Sequence, residues 1–273
     1  VLVAKLVLTP LIVVLATLAG RRFGRVASGW LIGLPLTSGP ITAFFAIEHG
    51  PHFAARAAVG SLGGAVAEVG FCFAYAVAGR RRRWPSAVAA GSLCFAATAT
   101  LLDALPLDAR SGTVAQLTVA ASASLVIGLA LLPDVAAGAD RPDRLPSRWD
   151  LPARAAAATG FLLALTAVAT SLGPRLSGLL AVYPLYTVVL AAFAQRLDGP
   201  TAAVQVLRGL LVGLFSFVCF FATLAVALGR LSTPTAFALA FAAALGVQAL
   251  SLRPLLRMAG PAGSRVTLGA TRP

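Results

Sequence analysis

Residues 28–64 read SGWLIGLPLTSGPITAFFAIEHGPHFAARAAVGSLGG, and residues 177–213 read SGLLAVYPLYTVVLAAFAQRLDGPTAAVQVLRGLLVG. The two stretches align without a gap at an offset of 149 residues, with 13 identities in 37 positions. Apolar segments match one another readily, so the shared leucines and alanines carry little weight. The shared glycines and prolines carry more, because each marks a backbone event. Gly29 pairs with Gly178, Pro35 with Pro184, Gly50 with Gly199, Pro51 with Pro200, Gly60 with Gly209 and Gly64 with Gly213. The pattern describes one unit used twice: an apolar run interrupted at a proline, a Gly-Pro turn, and a second run with glycines four residues apart.

The surrounding composition says what solvent such a unit lives in. Hydrophobic residues fill 59% of 273 positions and charged ones 11%, with a mean hydropathy of +0.89. A water-soluble domain of this size cannot cover its surface with so few charges. In a bilayer every backbone N–H and C=O must be satisfied internally, which leaves helices or a closed barrel. Long apolar runs without period-two alternation exclude the barrel. The fold class expected is therefore an all-α, polytopic transmembrane helical bundle.

Each crossing takes roughly 20 mostly apolar residues. Nine runs qualify, at 1–20, 27–47, 53–79, 86–106, 113–133, 152–173, 177–195, 202–228 and 234–254. The first is read as a span and not as a secretory signal, since Arg21, Arg22 and Arg25 follow the apolar run instead of preceding it. Residues 1–133 form a first repeat of five spans and 152–254 a second of four. Residues 134–151 read as a cytoplasmic linker and 255–273 as a basic cytoplasmic tail. Five spans separate equivalent elements, so the copies face opposite ways: an inverted 5+4 repeat with broken helices two and seven.

The net charge of +13 fits this layout. In a soluble protein it would suggest nucleic acid, but here the arginines sit in short connections, where they orient the chain and imply no nucleic-acid partner. With nine spans, 17 Lys and Arg fall on one side of the membrane and 5 on the other. Removing the span at 113–133 changes the split to 9 against 13. The positive-inside bias favours nine, with the N-terminus outside and the C-terminus in the cytoplasm.

Two segments concentrate the groups able to bind a solute. Gly33-Leu34-Pro35-Leu36-Thr37-Ser38-Gly39-Pro40 puts two prolines and two glycines in eight residues near the middle of a span. An undisturbed helix is not possible there. Freed carbonyls, with the hydroxyls of Thr37, Ser38 and Thr42, suit the lining of a polar cavity; a proline kink repaired for packing alone is the plainer alternative. The counterpart, Val182-Tyr183-Pro184-Leu185-Tyr186-Thr187, keeps one proline and lacks the glycines, so a milder break is expected. Tyr183, Tyr186 and Thr187 supply its hydroxyls.

Glu68 is the one acidic residue deep within a span, whereas Glu48 and Asp103 sit near span ends. A carboxyl at that depth is protonated, paired or hydrogen-bonded. It reads either as a coupling group for a proton or cation or as a neutral bridge between helices. Phe217 occupies the equivalent place in the second copy. The candidate site is thus Pro35, Thr37, Ser38, Gly39, Pro40, Thr42, Glu68, Tyr183, Pro184, Tyr186 and Thr187.

Other features read as structural. Gly60, Gly63, Gly64 and Ala67 form a small-residue stripe for close helix packing. Cys72, Cys94 and Cys219 lie inside apolar runs without ligand spacing. Glu48, His49 and His52 flank the Gly50-Pro51 turn, whose counterpart at Gly199-Pro200 has no histidine, so no metal is assigned. No Ser/His/Asp set, carboxylate pair, P-loop or dinucleotide fingerprint is present. Neither an enzyme nor a cofactor is indicated, and self-association into a homo-oligomer is left open.

The stretch Ser177-Gly178-Leu179-Leu180-Ala181-Val182-Tyr183-Pro184-Leu185-Tyr186-Thr187, with Arg208-Gly209 beyond it, resembles the GlpM-type family of small bacterial membrane proteins. The likeness covers about a third of the chain. It implies a fused duplication of a unit half this length, placed in a bacterial plasma membrane, and an association with exopolysaccharide production. Two functions follow as expectations: a secondary transporter or permease for a small polar solute or ion, or a non-transporting accessory subunit of an envelope or exopolysaccharide assembly complex. The charge count makes a direct prediction. Reporter tags at the two termini read from opposite sides of the membrane, and both reading from one side contradicts nine spans.

Overall fold

The computed structural model describes residues 2–36, 38–81, 83–104, 111–133, 149–171 and 183–259. Among them the chain forms ten helices and no strand. They are α1 (Leu2–Phe23), α2 (Arg25–Ile32), α3 (Ser38–His49), α4 (Pro51–Gly79) and α5 (Trp84–Asp103). Then follow α6 (Ser111–Leu131), α7 (Asp150–Ser171), α8 (Leu185–Asp198), α9 (Pro200–Ala227) and α10 (Thr233–Ala259). Five contain stretches long and apolar enough to cross a membrane: Pro51–Gly79, Trp84–Leu102, Gly112–Leu131, Pro200–Ala227 and Thr233–Leu252. The other four expected spans fall on α1, on α2 with α3, on α7, and on α8 with the residues before it. Thr37, Arg82, the segments 134–148 and 172–182, and the tail beyond 259 lie outside the described residues. Helix α10 reaches Ala259, well into the stretch read as tail.

Two long helices organise the bundle. Helix α9 packs against α2, α4, α6, α8 and α10, and α4 packs against α3, α5, α6 and α9. Their facing sides build the main core, where Phe71, Tyr75, Leu207, Leu210, Leu211, Leu214, Phe220 and Phe221 are sealed from the surroundings. A smaller core joins α1, α7, α8 and α9 through Val13, Ala158, Leu190 and Val206. The peripheral helices turn large apolar side chains outward: Leu93 on α5, Val119 on α6 and Leu250 on α10 are 72%, 69% and 78% exposed. A water-facing surface would carry charges at such positions; an apolar one suits acyl chains.

The same backbone events recur 149 residues apart. The N–H of Leu36 donates to the carbonyl of Leu34 at 2.8 Å, and that of Leu185 donates to Tyr183 at 2.8 Å. Each bond closes a three-residue turn around a proline, and Pro184, at φ −77° and ψ 61°, has inverse γ-turn geometry. The next bond matches too: Gly39 N–H to Pro35 and Val188 N–H to Pro184, both at 3.0 Å. Helices α3 and α8 then end at Gly50 and Gly199, at φ 85° and 94°. An L side chain is strained there, which explains glycine, and a proline follows at the first helical position, where its missing N–H costs nothing. The helices launched from these corners, α4 and α9, are 29 and 28 residues long.

Helix α2 has only 8 residues, so it depends on its partner. A Cβ on Gly29 would collide with the carbonyl of Val206, and one on Gly209 with the carbonyl of Val26. Gly33 and Gly213 repeat the arrangement one turn on, where a Cβ on Gly33 would stand 2.5 Å from Gly213. Two four-residue glycine pairs therefore let α2 and α9 touch backbone to backbone. Trp30 locks the seam: its indole N–H donates to Ser251 at 2.8 Å and its carbonyl accepts from Gln248 at 3.1 Å, both on α10. Gly29→Ala or Gly209→Ala therefore lowers the thermal unfolding midpoint of the detergent-solubilised protein, with a cost of about 1–3 kcal/mol or more. Gly246→Ala on the exposed face of α10, where a Cβ meets nothing within 4 Å, does not lower the midpoint.

Candidate functional site

The interruption expected between Gly33 and Pro40 is present: α2 stops at Ile32 and α3 starts at Ser38. Pro40 lies within the first turn of α3, exposed on its outer side, and Pro35 is buried in the gap. Gly39 is buried where the rings of Phe241 and Phe220 come within 3.3 and 3.4 Å of a notional Cβ, so a side chain there would displace them. Thr42 is buried and donates to the carbonyl of Ser38 at 2.8 Å. Such a bond satisfies the hydroxyl within its own helix. At the second motif Tyr183 and Pro184 are non-helical, and α8 begins only at Leu185. A γ-turn at Pro184 thus stands directly before α8, and the residues ahead of Tyr183 lie outside the described ones.

Glu68 finds its partner in the second motif. Thr187, almost fully buried, donates its hydroxyl to the Glu68 carboxyl at 2.9 Å, joining α4 to the first turn of α8. Thr187 is the counterpart of Ser38, and Phe217 that of Glu68, so the first motif has no equivalent bond. The two tyrosines are also drawn inward. The Tyr183 hydroxyl lies 2.6 Å from the Ser92 hydroxyl of α5, with its ring edge-on to Phe95 and Phe161. The Tyr186 hydroxyl lies 3.2 Å from that of Thr9 in α1. Tyr75, two turns beyond Glu68 on the same face of α4, is sealed, and its hydroxyl has no partner among the described residues.

Four of the sequence-selected polar residues, Glu68, Tyr183, Tyr186 and Thr187, thus meet around the start of α8, linking it to α1, α4 and α5. Ser92 and Thr9, which complete this network, were not singled out from sequence. Lone hydroxyls within apolar runs resemble any helix-satisfied Ser or Thr, and only the tyrosine pairing distinguishes them. The histidine cluster is used in packing: His49 stacks on Phe53 at 4.8 Å. Among the described residues no three His, Cys, Asp or Glu gather to hold a metal.

Charge collects at one end of the bundle. Arg21 and Arg154 both pair with Asp150, at 2.8 and 3.0 Å, and Arg25 pairs with Asp198 at 3.0 Å. Arg154 also lies over the ring of Phe193 at 5.1 Å. Arg208 donates to the carbonyl of Leu132 at 2.9 Å, just past the end of α6. No protein-family model, curated protein or solved structure matches the chain.

The Glu68–Thr187 bond has a measurable weight. Thr187→Val leaves the carboxyl short of a donor and destabilises the solubilised protein by about 1–2 kcal/mol, while Thr187→Ser does so by much less. Adding Glu68→Leu to Thr187→Val recovers part of the loss, because no unsatisfied acceptor remains. Additive effects in this cycle, followed by thermal unfolding, contradict a direct bond.

Proposed function

We propose that this chain is a secondary transporter or permease for a small polar solute or ion, and that Glu68 with Thr187 is its coupling site. The observation that carries the reading is a carboxyl placed among apolar helices and held by the Thr187 hydroxyl in the first turn of α8, just after the Pro184 turn. Broken helices at membrane depth supply unpaired backbone groups and polar side chains to a bound solute. A carboxyl in such a place takes up or releases a proton, or receives a cation, when water reaches it.

The architecture proposed with it is nine spans in an inverted 5+4 repeat within a bacterial plasma membrane, N-terminus outside and C-terminus in the cytoplasm. Support comes from the paired γ-turns and Gly-Pro corners 149 residues apart. Support for inversion comes from the last residues of α4 and the first of α9, which line one pocket and so make the two helices antiparallel. The arginine-bearing end corresponds to the cytoplasmic side. In such an arrangement one copy rocks against the other around a fixed site, and that motion would give Glu68 water from alternate sides.

A second reading draws on a different observation. The hydroxyls of Thr42, Tyr183, Tyr186 and Thr187 all have partners inside the bundle, as a rigid accessory subunit of an envelope or exopolysaccharide assembly complex would require. The GlpM-type resemblance fits that role equally. Reconstitution separates the two. Proteoliposomes are screened with small polar solutes and monovalent cations for uptake driven by an imposed proton or sodium gradient. Glu68→Gln, which keeps shape and accepts the same bond, folds normally and abolishes gradient-driven uptake. Uptake and pH dependence unchanged in Glu68→Gln remove the coupling role.

A further inference from the structure

A pocket of about 420 Å³ opens at the arginine-bearing end, where the α4–α5 turn meets the α8–α9 corner. Arg80, Arg81, Arg83 and Arg196 line it together with Trp84 and Gln195. Among the described residues no carboxylate contributes to the wall. The nearest acid in sequence, Asp198, is engaged by Arg25 at 3.0 Å. Gln195 fixes the shape of the hollow by donating its side-chain amide to the carbonyl of Gly79 at 3.2 Å, tying the end of α8 to the end of α4. Two helices end here and two begin, so their dipoles offset one another and the side chains set the potential. Four arginines of like charge share this one region, and an anion between them offsets their mutual repulsion.

We propose that this pocket binds the phosphate of an anionic phospholipid headgroup. Guanidinium groups match phosphate oxygens in a two-pronged fashion that a simple ammonium does not. The level in the membrane also fits: apolar spans end at Gly79 and begin at Trp84 and Pro200, which puts the pocket at the headgroup layer. Trp84 belongs to the residue type that anchors at that layer, with its ring towards the acyl chains. Basic hollows between helices on the cytoplasmic face are the usual setting for such headgroups. The proposal rests on the membrane reading of the chain and is independent of transport. The bound lipid joins the two copies at their cytoplasmic ends, bridging the α4–α5 turn of one and the α8–α9 corner of the other.

The test uses the full chain purified in a neutral detergent. Phosphatidylglycerol, phosphatidylcholine and inorganic phosphate are titrated separately, with thermal unfolding and tryptophan emission as readouts. Phosphatidylglycerol raises the unfolding midpoint and shifts the emission, and phosphatidylcholine does neither. The double variant Arg83→Gln/Arg196→Gln loses about tenfold or more in affinity for phosphatidylglycerol, as expected for two lost charge-assisted contacts. Arg22→Gln, at the same end but outside the pocket, loses none. If the double variant does not fold, the single variants Arg81→Gln and Arg196→Gln carry the same comparison, each with a smaller loss. Equal stabilisation by phosphatidylcholine, or unchanged affinity in the pocket variants, overturns the proposal. Equal stabilisation by inorganic phosphate also overturns it, by assigning the pocket to a soluble anion. Failure of gradient-driven uptake in proteoliposomes leaves these readouts untouched, so the two readings fail separately.

Discussion

Contact between two backbones holds this bundle in register. Where Gly29 and Gly33 of α2 meet Gly209 and Gly213 of α9, no side chain separates the chains, and a methyl group on either face would strike a carbonyl or an α-carbon. In lipid there is no hydrophobic force to bring helices together, so close van der Waals approach must do it. A helix of two turns such as α2 has little stability of its own. Seated on α9, it presents its C-terminal end at a fixed place, and the turn through Pro35 begins from there. The interruption is therefore built on a rigid support, which is what a binding site needs and a loose kink would not give.

The start of α8 is supported differently. No described glycine seam carries α8; polar contacts do. Thr187 reaches Glu68 on α4, Tyr186 reaches Thr9 on α1, and Tyr183 reaches Ser92 on α5. Each hydroxyl that bonds a neighbour in hydrocarbon contributes modestly, because its alternative partner is its own helix. Together they tie three helices to the first turn of α8. The two stretches 149 residues apart share their turns and Gly-Pro corners but are held differently: one by glycine, the other by hydroxyl groups around a carboxyl.

Much of this was legible in the sequence, for physical reasons that can be named. The break at Gly33–Pro40 follows from residues that cannot continue a helix, and the corners at Gly50 and Gly199 from a glycine–proline pair that stops one helix and starts another. The apolar periphery follows from composition alone. The seam between α2 and α9 was harder to read. Glycines four residues apart announce close packing without naming the partner, and Gly60 and Gly64 have the same spacing, yet a Cβ on Gly60 meets nothing within 4 Å. The γ-turn geometry before Leu185 leaves no mark in residue type. Glu68 stood out as a lone carboxyl, but its partner lies 119 positions away and was found only by the fold.

The central claim is that Glu68 of α4 and Thr187 of α8 face each other within the bundle. It is tested most directly in intact membranes. Cysteines replace Glu68 and Thr187 in a chain whose own Cys72, Cys94 and Cys219 have been changed to alanine, and a protease site is placed within residues 134–148. A short bifunctional thiosulfonate is added before cleavage. The account predicts that the two fragments stay joined, and that they separate when the first cysteine is moved to Val119 on the outer face of α6. Fragments that separate for the Glu68–Thr187 pair as readily as for that control contradict it.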